Sequence, residues 1–313
     1  CDAQPSNAGN ADLYTMLDMA DSGHDGMNHD GIDVDADADA DTSASVEDME
    51  APSPTDLATP QDASELVVTY VDVTETNLPV ASLGGLSMDV VAADFDKDGD
   101  LDLVIANEFK QTIFLLNDGE GVFEDASDRF PNTSRDSEDL AVADWDGDGM
   151  LDVLIVSEDD KTNELFLQRN QSFIDASDRL PTEGISNAVA WATFSEETRR
   201  TIFVGNNGQN HLWVQDGAGG FIDATDGRLP LREDVTQDLE LGDLDGDGDL
   251  DLVVGNEGDN RILLQEGGVF TDAAPGCLPS RDTPEETRDV ELGDVDGDGD
   301  LDLLFGNVRA FVS

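Results

Sequence analysis

From residue 65 onward the apolar residues fall in short runs separated by Gly, Asp, Asn and Pro, and no stretch carries the periodicity of an amphipathic helix. Runs of this kind bounded by turn residues predict β-strands. They recur in a fixed order. An acidic stretch is followed by a strand such as Leu252-Val253-Val254-Gly255-Asn256. A second run comes next: Ile113-Phe114-Leu115-Leu116, Leu165-Phe166-Leu167, Leu212-Trp213-Val214 or Ile262-Leu263-Leu264. Hairpin turns such as Asn117-Asp118-Gly119 lead into Phe-x-Asp, at Phe123-Glu124-Asp125, Phe173-Ile174-Asp175, Phe221-Ile222-Asp223 and Phe270-Thr271-Asp272. A Leu-Pro or Phe-Pro pair usually closes the unit.

The acidic stretches set the period. Their first aspartates are Asp94, Asp144, Asp243 and Asp294, at steps of 50, 99 and 51 residues. The long step is two periods, so a fifth copy is expected near residue 193. There Ala188-Val189-Ala190-Trp191-Ala192 and Ile202-Phe203-Val204-Gly205-Asn206 keep the strands while the aspartates are gone. Four short strands in a self-similar unit of about 50 residues is the layout of a β-propeller blade. The expected fold is all-β: a propeller of about five four-stranded blades over residues 65–313. Residues 65–74 read as a unit's fourth strand arriving alone, and the chain stops near a unit's third strand, which suits ring closure by pairing of the two ends. The stretch after Asn307 is shorter than that after Asn256, so a larger propeller truncated at the C-terminus is the other reading.

Asp-x-Asp-x-Asp-Gly-x-x-Asp is a donor set for a hard cation. Positions 1, 3, 5 and 9 offer carboxylates, position 7 a backbone carbonyl, and glycine at position 6 permits the sharp turn. The second copy tests this scheme, because Met150 stands at position 7, where only a carbonyl is needed. An EF-hand requires Glu at position 12; here that position is Ile105, Ile155, Val254 or Phe305, so these are strand–loop–strand sites. Four crowded carboxylates repel one another, and calcium turns that repulsion into a cross-link. Magnesium, with fewer protein ligands and stricter octahedral geometry, fits less well.

The units resemble the FG-GAP/VCBS repeats of integrin-α-type β-propellers, over residues 65–313. The resemblance implies calcium at about four loops joining a blade's first and second strands. The carboxylate ligands it implies are Asp94, Asp96, Asp98 and Asp102; Asp144, Asp146, Asp148 and Asp152; Asp243, Asp245, Asp247 and Asp251; and Asp294, Asp296, Asp298 and Asp302. The position-7 carbonyls are those of Asp100, Met150, Asp249 and Asp300. The degenerate unit, without aspartates from Ala192 to Arg200, is expected to fold without metal, with Arg199 or Arg200 supplying positive charge. A second acid recurs five residues before each first ligand, at Asp89, Asp139, Asp238 and Asp289, with Asn187 taken as its counterpart in the degenerate unit. It either lines a central channel or caps a backbone group at the strand's start; the cap is the favoured reading.

Composition narrows the partners. Asp and Glu number 73 against 15 Lys and Arg, a formal charge of −58 that repels nucleic acid and anionic lipid headgroups. Residues 1–64 hold no Lys or Arg, alternate Asp with small residues from Asp33 to Asp41, and read as a disordered acidic linker. The patch Met16, Met19, His24, Met27 and His29 reads as chance composition in that linker more readily than as a soft-metal site. Cys1 resembles the lipidated first residue of a mature bacterial lipoprotein, which implies a tether and an extracytoplasmic protein, at the outer-membrane surface or secreted, that meets the membrane only through that lipid. Cys277 reads as a lone thiol and His211 as a surface residue. No nucleophile elbow, zinc motif or phosphate loop occurs. The sequence favours a non-catalytic, calcium-stabilised binding or adhesion propeller for a protein or glycan; the alternative is a propeller enzyme acting on polysaccharide as a lyase or hydrolase.

Overall fold

A computed structural model describes residues 70–308 except 81–82, 159–161, 182–183, 195–198, 218 and 279–284, together with the backbone of Leu17–Asp18. The rest of the acidic linker, its Met and His patch and Cys1 lie outside the described residues.

The described chain is a series of antiparallel blades. A two-residue strand β1 (Leu17–Asp18) and a helical turn α1 (Thr74–Asn77) precede them. Blade 1 is β2 (Leu86–Ala93), β3 (Asp102–Lys110), β4 (Ile113–Asn117) and β5 (Phe123–Asp125). Blade 2 is β6 (Arg135–Ala143), β7 (Asp152–Ser157), β8 (Glu164–Arg169) and β9 (Ser172–Asp175). Blade 3 is β10 (Ser186–Thr193), β11 (Arg200–Gly208), β12 (His211–Gln215) and β13 (Phe221–Asp223). Blade 4 is β14 (Asp234–Gly242), β15 (Asp251–Gly258), β16 (Arg261–Glu266) and β17 (Val269–Asp272), closed by the turn α2 (Ala274–Cys277). The strands β18 (Glu285–Gly293) and β19 (Asp302–Val308) begin a fifth. First strands of successive blades pack on each other: β2 on β6, β6 on β10, β10 on β14 and β14 on β18.

The core lies between blades rather than within them. In β7 the side chains alternate: Val153 and Ile155 join the cluster with Phe95, Phe114 and Phe130 of blade 1, whereas Leu154 and Val156 join Ile202, Val204 and Trp213 of blade 3. Both faces of such a strand are buried, so its sequence is an unbroken apolar run instead of an alternation. The same logic places Leu252 and Val254 against blade 3 and Val253 against Val290 and Phe305 of the fifth. Phe130, from the turn after blade 1, stacks on Phe173 at 3.8 Å between centroids and meets Phe166 edge-on. Such aromatic pairs add about 1 kcal/mol beyond their burial.

Two expectations need correction here. Residues 70–73 form no strand and Thr74–Asn77 is helical, so no lone fourth strand arrives at residues 70–74. The Asp72 carboxylate accepts the Thr74 N–H at 3.0 Å, as Asp125 does for Ser127 and Asp175 for Ser177, which bends the chain out of a strand at that point. The bared edge of β19 pairs instead with β1, in parallel (Leu17 with Gly306, Asp18 with Asn307). Cys277 is not a lone thiol: it is disulfide-bonded.

Candidate metal centres

Each acidic loop spans the hairpin between a blade's first and second strands. In blade 1 the pair Ala93–Asp102 closes the loop, as Ala143–Asp152, Gly242–Asp251 and Gly293–Asp302 do in the others. The backbone turns left-handed twice. At position 6, Gly99, Gly149, Gly248 and Gly299 have φ of 99°, 86°, 92° and 97°. Position 4 is left-handed too, occupied by Gly147, Gly246, Gly297 and, in blade 1, Lys97 at φ 65°. Glycine adopts this region freely, which explains its recurrence.

The position-1 carboxylate closes the loop on itself. Asp144 accepts the N–H of Gly147 at 2.8 Å on one oxygen and of Gly149 at 2.9 Å on the other, and Asp243 and Asp294 repeat this with Gly246 and Gly248, and Gly297 and Gly299. In blade 1 Asp94 takes Asp98 and Gly99. Position 9 ties the loop to the blade. Asp152, fully buried, accepts Trp145 N–H at 2.8 Å and Gln168 N–H at 2.8 Å; Asp102 and Asp251 make the equivalent pairs with Phe95 and Asn117, and with Leu244 and Gln265. Burial pushes Asp152 up to about 7 and raises Asp102 and Asp251 as well.

In each of four loops the carboxylates of positions 1, 3 and 9 converge. Oxygens of Asp94, Asp96 and Asp102 lie within 4.8 Å of one another, as do those of Asp144, Asp146 and Asp152, of Asp243, Asp245 and Asp251, and of Asp294, Asp296 and Asp302. Three hard oxygens at that spacing can hold a divalent cation. The position-5 acids Asp98, Asp148, Asp247 and Asp298 stand outside these triads; each accepts the N–H of its position-7 residue, at 3.0, 2.8, 2.8 and 3.0 Å.

The degenerate loop has the regular length. Its pair Ala192–Thr201 matches Ala93–Asp102, so Thr193 is position 1 and Thr201, fully buried, is position 9. Phe194, at position 2, packs edge-on against Phe203 and Phe270. Arg199 and Arg200 fall at positions 7 and 8, and among the described residues this blade has no group of converging acids.

The same register moves the second repeated acid by one residue. Asp89, Asp139, Asp238 and Asp289 follow a β-bulge in the first strand, and their counterpart in blade 3 is Ala188, not Asn187, which sits in the bulge itself. These aspartates bind blades together: Asp89 accepts the N–H of Leu140, Asp139 that of Val189 at 2.7 Å and Asp238 that of Val290 at 2.6 Å. Burial, then the charges of Asp89 and Asp238, hold the Asp139 carboxyl well above the usual range. Asn187 reaches the next blade in its own way, donating to the Thr236 carbonyl at 2.9 Å.

His211 is buried rather than exposed, because it opens β12 beneath the turn that follows β13. Its Nδ1 faces Asp223 at 3.1 Å and Thr225 at 3.3 Å. A proton relay needs the acid and the nucleophile on different ring nitrogens, so this is not a triad. Two features carried no motif in the sequence. One is an acidic group of Asp136, Glu138 and Glu158 beside blade 2's bulge, in which burial and then Glu158 and Asp136 push Glu138 up to about 7. The other is an open cleft of about 550 Å³ between blades 2 and 3, lined by Arg179, Asp216, Phe221 and Asp223 among others.

Repeated blades with acidic loops at one hairpin define a repeat-built, acidic-loop β-propeller. Residues 94–155, 199–254 and 243–305 match the FG-GAP-like repeat, and the chain belongs to that family. It is similar to cartilage acidic protein 1 of Mus musculus, 35% identical over 114 residues, and of Homo sapiens, 34% identical over the same length. Those matches cover 34% of this chain and 17% of each relative, so the chain spans about a sixth of the curated relatives' length. A solved structure on recognition of non-reducing terminal N-acetylglucosamine by an Agrocybe aegerita lectin aligns over 58% of this chain and 50% of that one, at 18% identity and a TM-score of 0.40. No helix among the described residues is long and apolar enough to cross a membrane.

Proposed function

We propose that this chain is a calcium-stabilised, non-catalytic binding propeller that works outside the cytoplasm and presents its loops and inter-blade clefts to a protein or glycan. The observation that carries the calcium reading is the convergence of positions 1, 3 and 9 in four separate loops. The position-5 carboxylate and position-7 carbonyl complete each set, and the bound ion neutralises acids that otherwise repel across the hairpin. Membership of the FG-GAP-like repeat family supports a binding role, and the disulfide at Cys277 suits an oxidising exterior.

Calorimetry on EGTA-stripped protein tests the metal: several calcium ions should bind and the melting temperature should rise, whereas absence of calcium-dependent stabilisation would sink the reading. A glycan array and affinity capture, run beside a hydrolase and lyase screen, test the role. Turnover of a polysaccharide that a propeller point mutation abolishes would overturn the non-catalytic assignment.

A further inference from the structure

The four loops share a backbone but not a charge environment. In blade 2 the side chain of Arg169, at the end of β8, turns onto the acidic loop of its own blade. Its Nη2 donates to Asp146 at position 3 and its Nη1 to Asp148 at position 5, the latter at 2.8 Å. Nη1 also donates to the Gln168 carbonyl at 2.6 Å, which anchors the guanidinium over the loop. The corresponding hairpin position is acidic in the other complete blades. Arg169 pairs with Ser172, Glu266 of blade 4 pairs with Val269, and the residues that follow the aligned Asn117 and Gln215 are Asp118 and Asp216. A second cation approaches the same loop from blade 1, since the Lys97 ammonium lies 3.6 Å from where a Cβ on Gly149 would stand. This loop is also the one with Met150 in place of the position-7 aspartate.

We infer that Arg169 is a tethered cation that takes over part of calcium's role in blade 2: it holds the Asp144–Asp152 loop closed without metal and makes this the weakest calcium site of the four. The inference rests on the calcium reading of the loops. Two of the ligand carboxylates already share a guanidinium, so an incoming ion must displace it and meets a positive field from Arg169 and Lys97. The other three loops lack such an arginine among the described residues, so more of their repulsion is left for an added ion to relieve.

Hydrogen exchange on the full chain, stripped with EGTA and then titrated with calcium, resolves the loops one by one. In EGTA the amides of residues 144–152 should exchange more slowly than those of 94–102, 243–251 and 294–302, which keep only their own amide–carboxylate bonds; calcium should then protect those three at lower concentration. Arg169→Gln should lower the metal-free protection of 144–152 to that of the other three loops and tighten its calcium midpoint by about tenfold or more. Glu266→Arg should weaken the blade 4 midpoint by a similar factor, and it keeps the test alive if the first variant folds poorly. Midpoints and metal-free protection within about twofold of the parent in both variants would overturn the inference. Failure of the calcium reading shows elsewhere, as loops of blades 1 and 4 that ignore calcium in the parent protein.

Discussion

Within one loop the nine positions divide their work. In blades 1, 2 and 4 position 9 is a buried acceptor for two backbone amides before it is anything else, whereas position 3 makes fewer such bonds and points toward the space between the acids. Asp251→Ala therefore leaves the Leu244 and Gln265 amides without their acceptor and should cost about 2 kcal/mol in calcium-free protein. Asp245→Ala should leave calcium-free stability within about 0.5 kcal/mol of the parent while removing calcium binding at that loop. Urea denaturation in EGTA, paired with a calcium titration, separates the two. Equal losses in EGTA would show that the loop's own amide network does not hold it. Thr201 illustrates the contrast in blade 3: its buried hydroxyl at position 9 accepts neither amide, and there Phe194 packs edge-on against Phe203.

Blades are joined by devices that repeat with the sequence. A bulge interrupts each first strand, and in blades 1, 2 and 4 the Asp that follows it captures an amide of the following blade. A polar relay runs alongside. Asn163 donates to Ser186, which donates to Asn206; Asn210 donates to Thr236 and Thr236 to Asn256; Asn260 donates to Thr287 and Thr287 to Asn307. Gln168 adds a strut to the Phe95 carbonyl in the preceding blade's loop, and Gln215 does the same to Trp145. Asp238→Ala should cost about 2 kcal/mol, because it strands the buried Val290 amide at the junction of blades 4 and 5. Asp289→Ala, at the matching but exposed place on β18, should change stability by no more than about 0.5 kcal/mol. Thermal melts of the two variants check this, and equal losses would contradict the inter-blade role.

At the scale of the molecule, stability must answer to pH through the acids that folding buries. Glu138 is pushed up to about 7, by burial and then by Glu158, Asp136 and Glu108, against the opposing pull of Arg288, and Asp139 is raised by burial and by Asp89 and Asp238. Between the unfolded values near 4 and these raised ones, the native state holds protons that the unfolded chain has released. Stability of calcium-free protein therefore falls as pH rises through that window, by on the order of 2 kcal/mol. Melting in EGTA should occur at higher temperature near pH 5.5 than near pH 7.5. Bound calcium should oppose the trend, since its ligands must be deprotonated, so the gap between calcium-loaded and stripped melting curves should widen with pH. A stripped protein that gains stability from about pH 5.5 to about pH 7.5 would refute the burial of these acids.

Periodicity alone determined much of this protein. Steps of 50, 99 and 51 residues placed the blades, the loops and the damaged fifth copy, because a hairpin site depends on residues close in sequence and a strand on its own run of side chains. Tertiary structure decided what depends on neighbours 50 or more residues apart. Asp89 meets Leu140, Asp139 meets Val189 and Gln168 meets Phe95 only once blades stack, and no spacing rule within one unit announces those contacts. The pairing of Ala192 with Thr201, which makes Thr193 the first position of the degenerate loop, put the counterpart of these aspartates at Ala188 rather than Asn187. Burial of His211 and the turn of Arg169 onto its own loop have the same origin: a side chain's surroundings are set by the packing of whole hairpins, whereas its chemistry is written in the sequence.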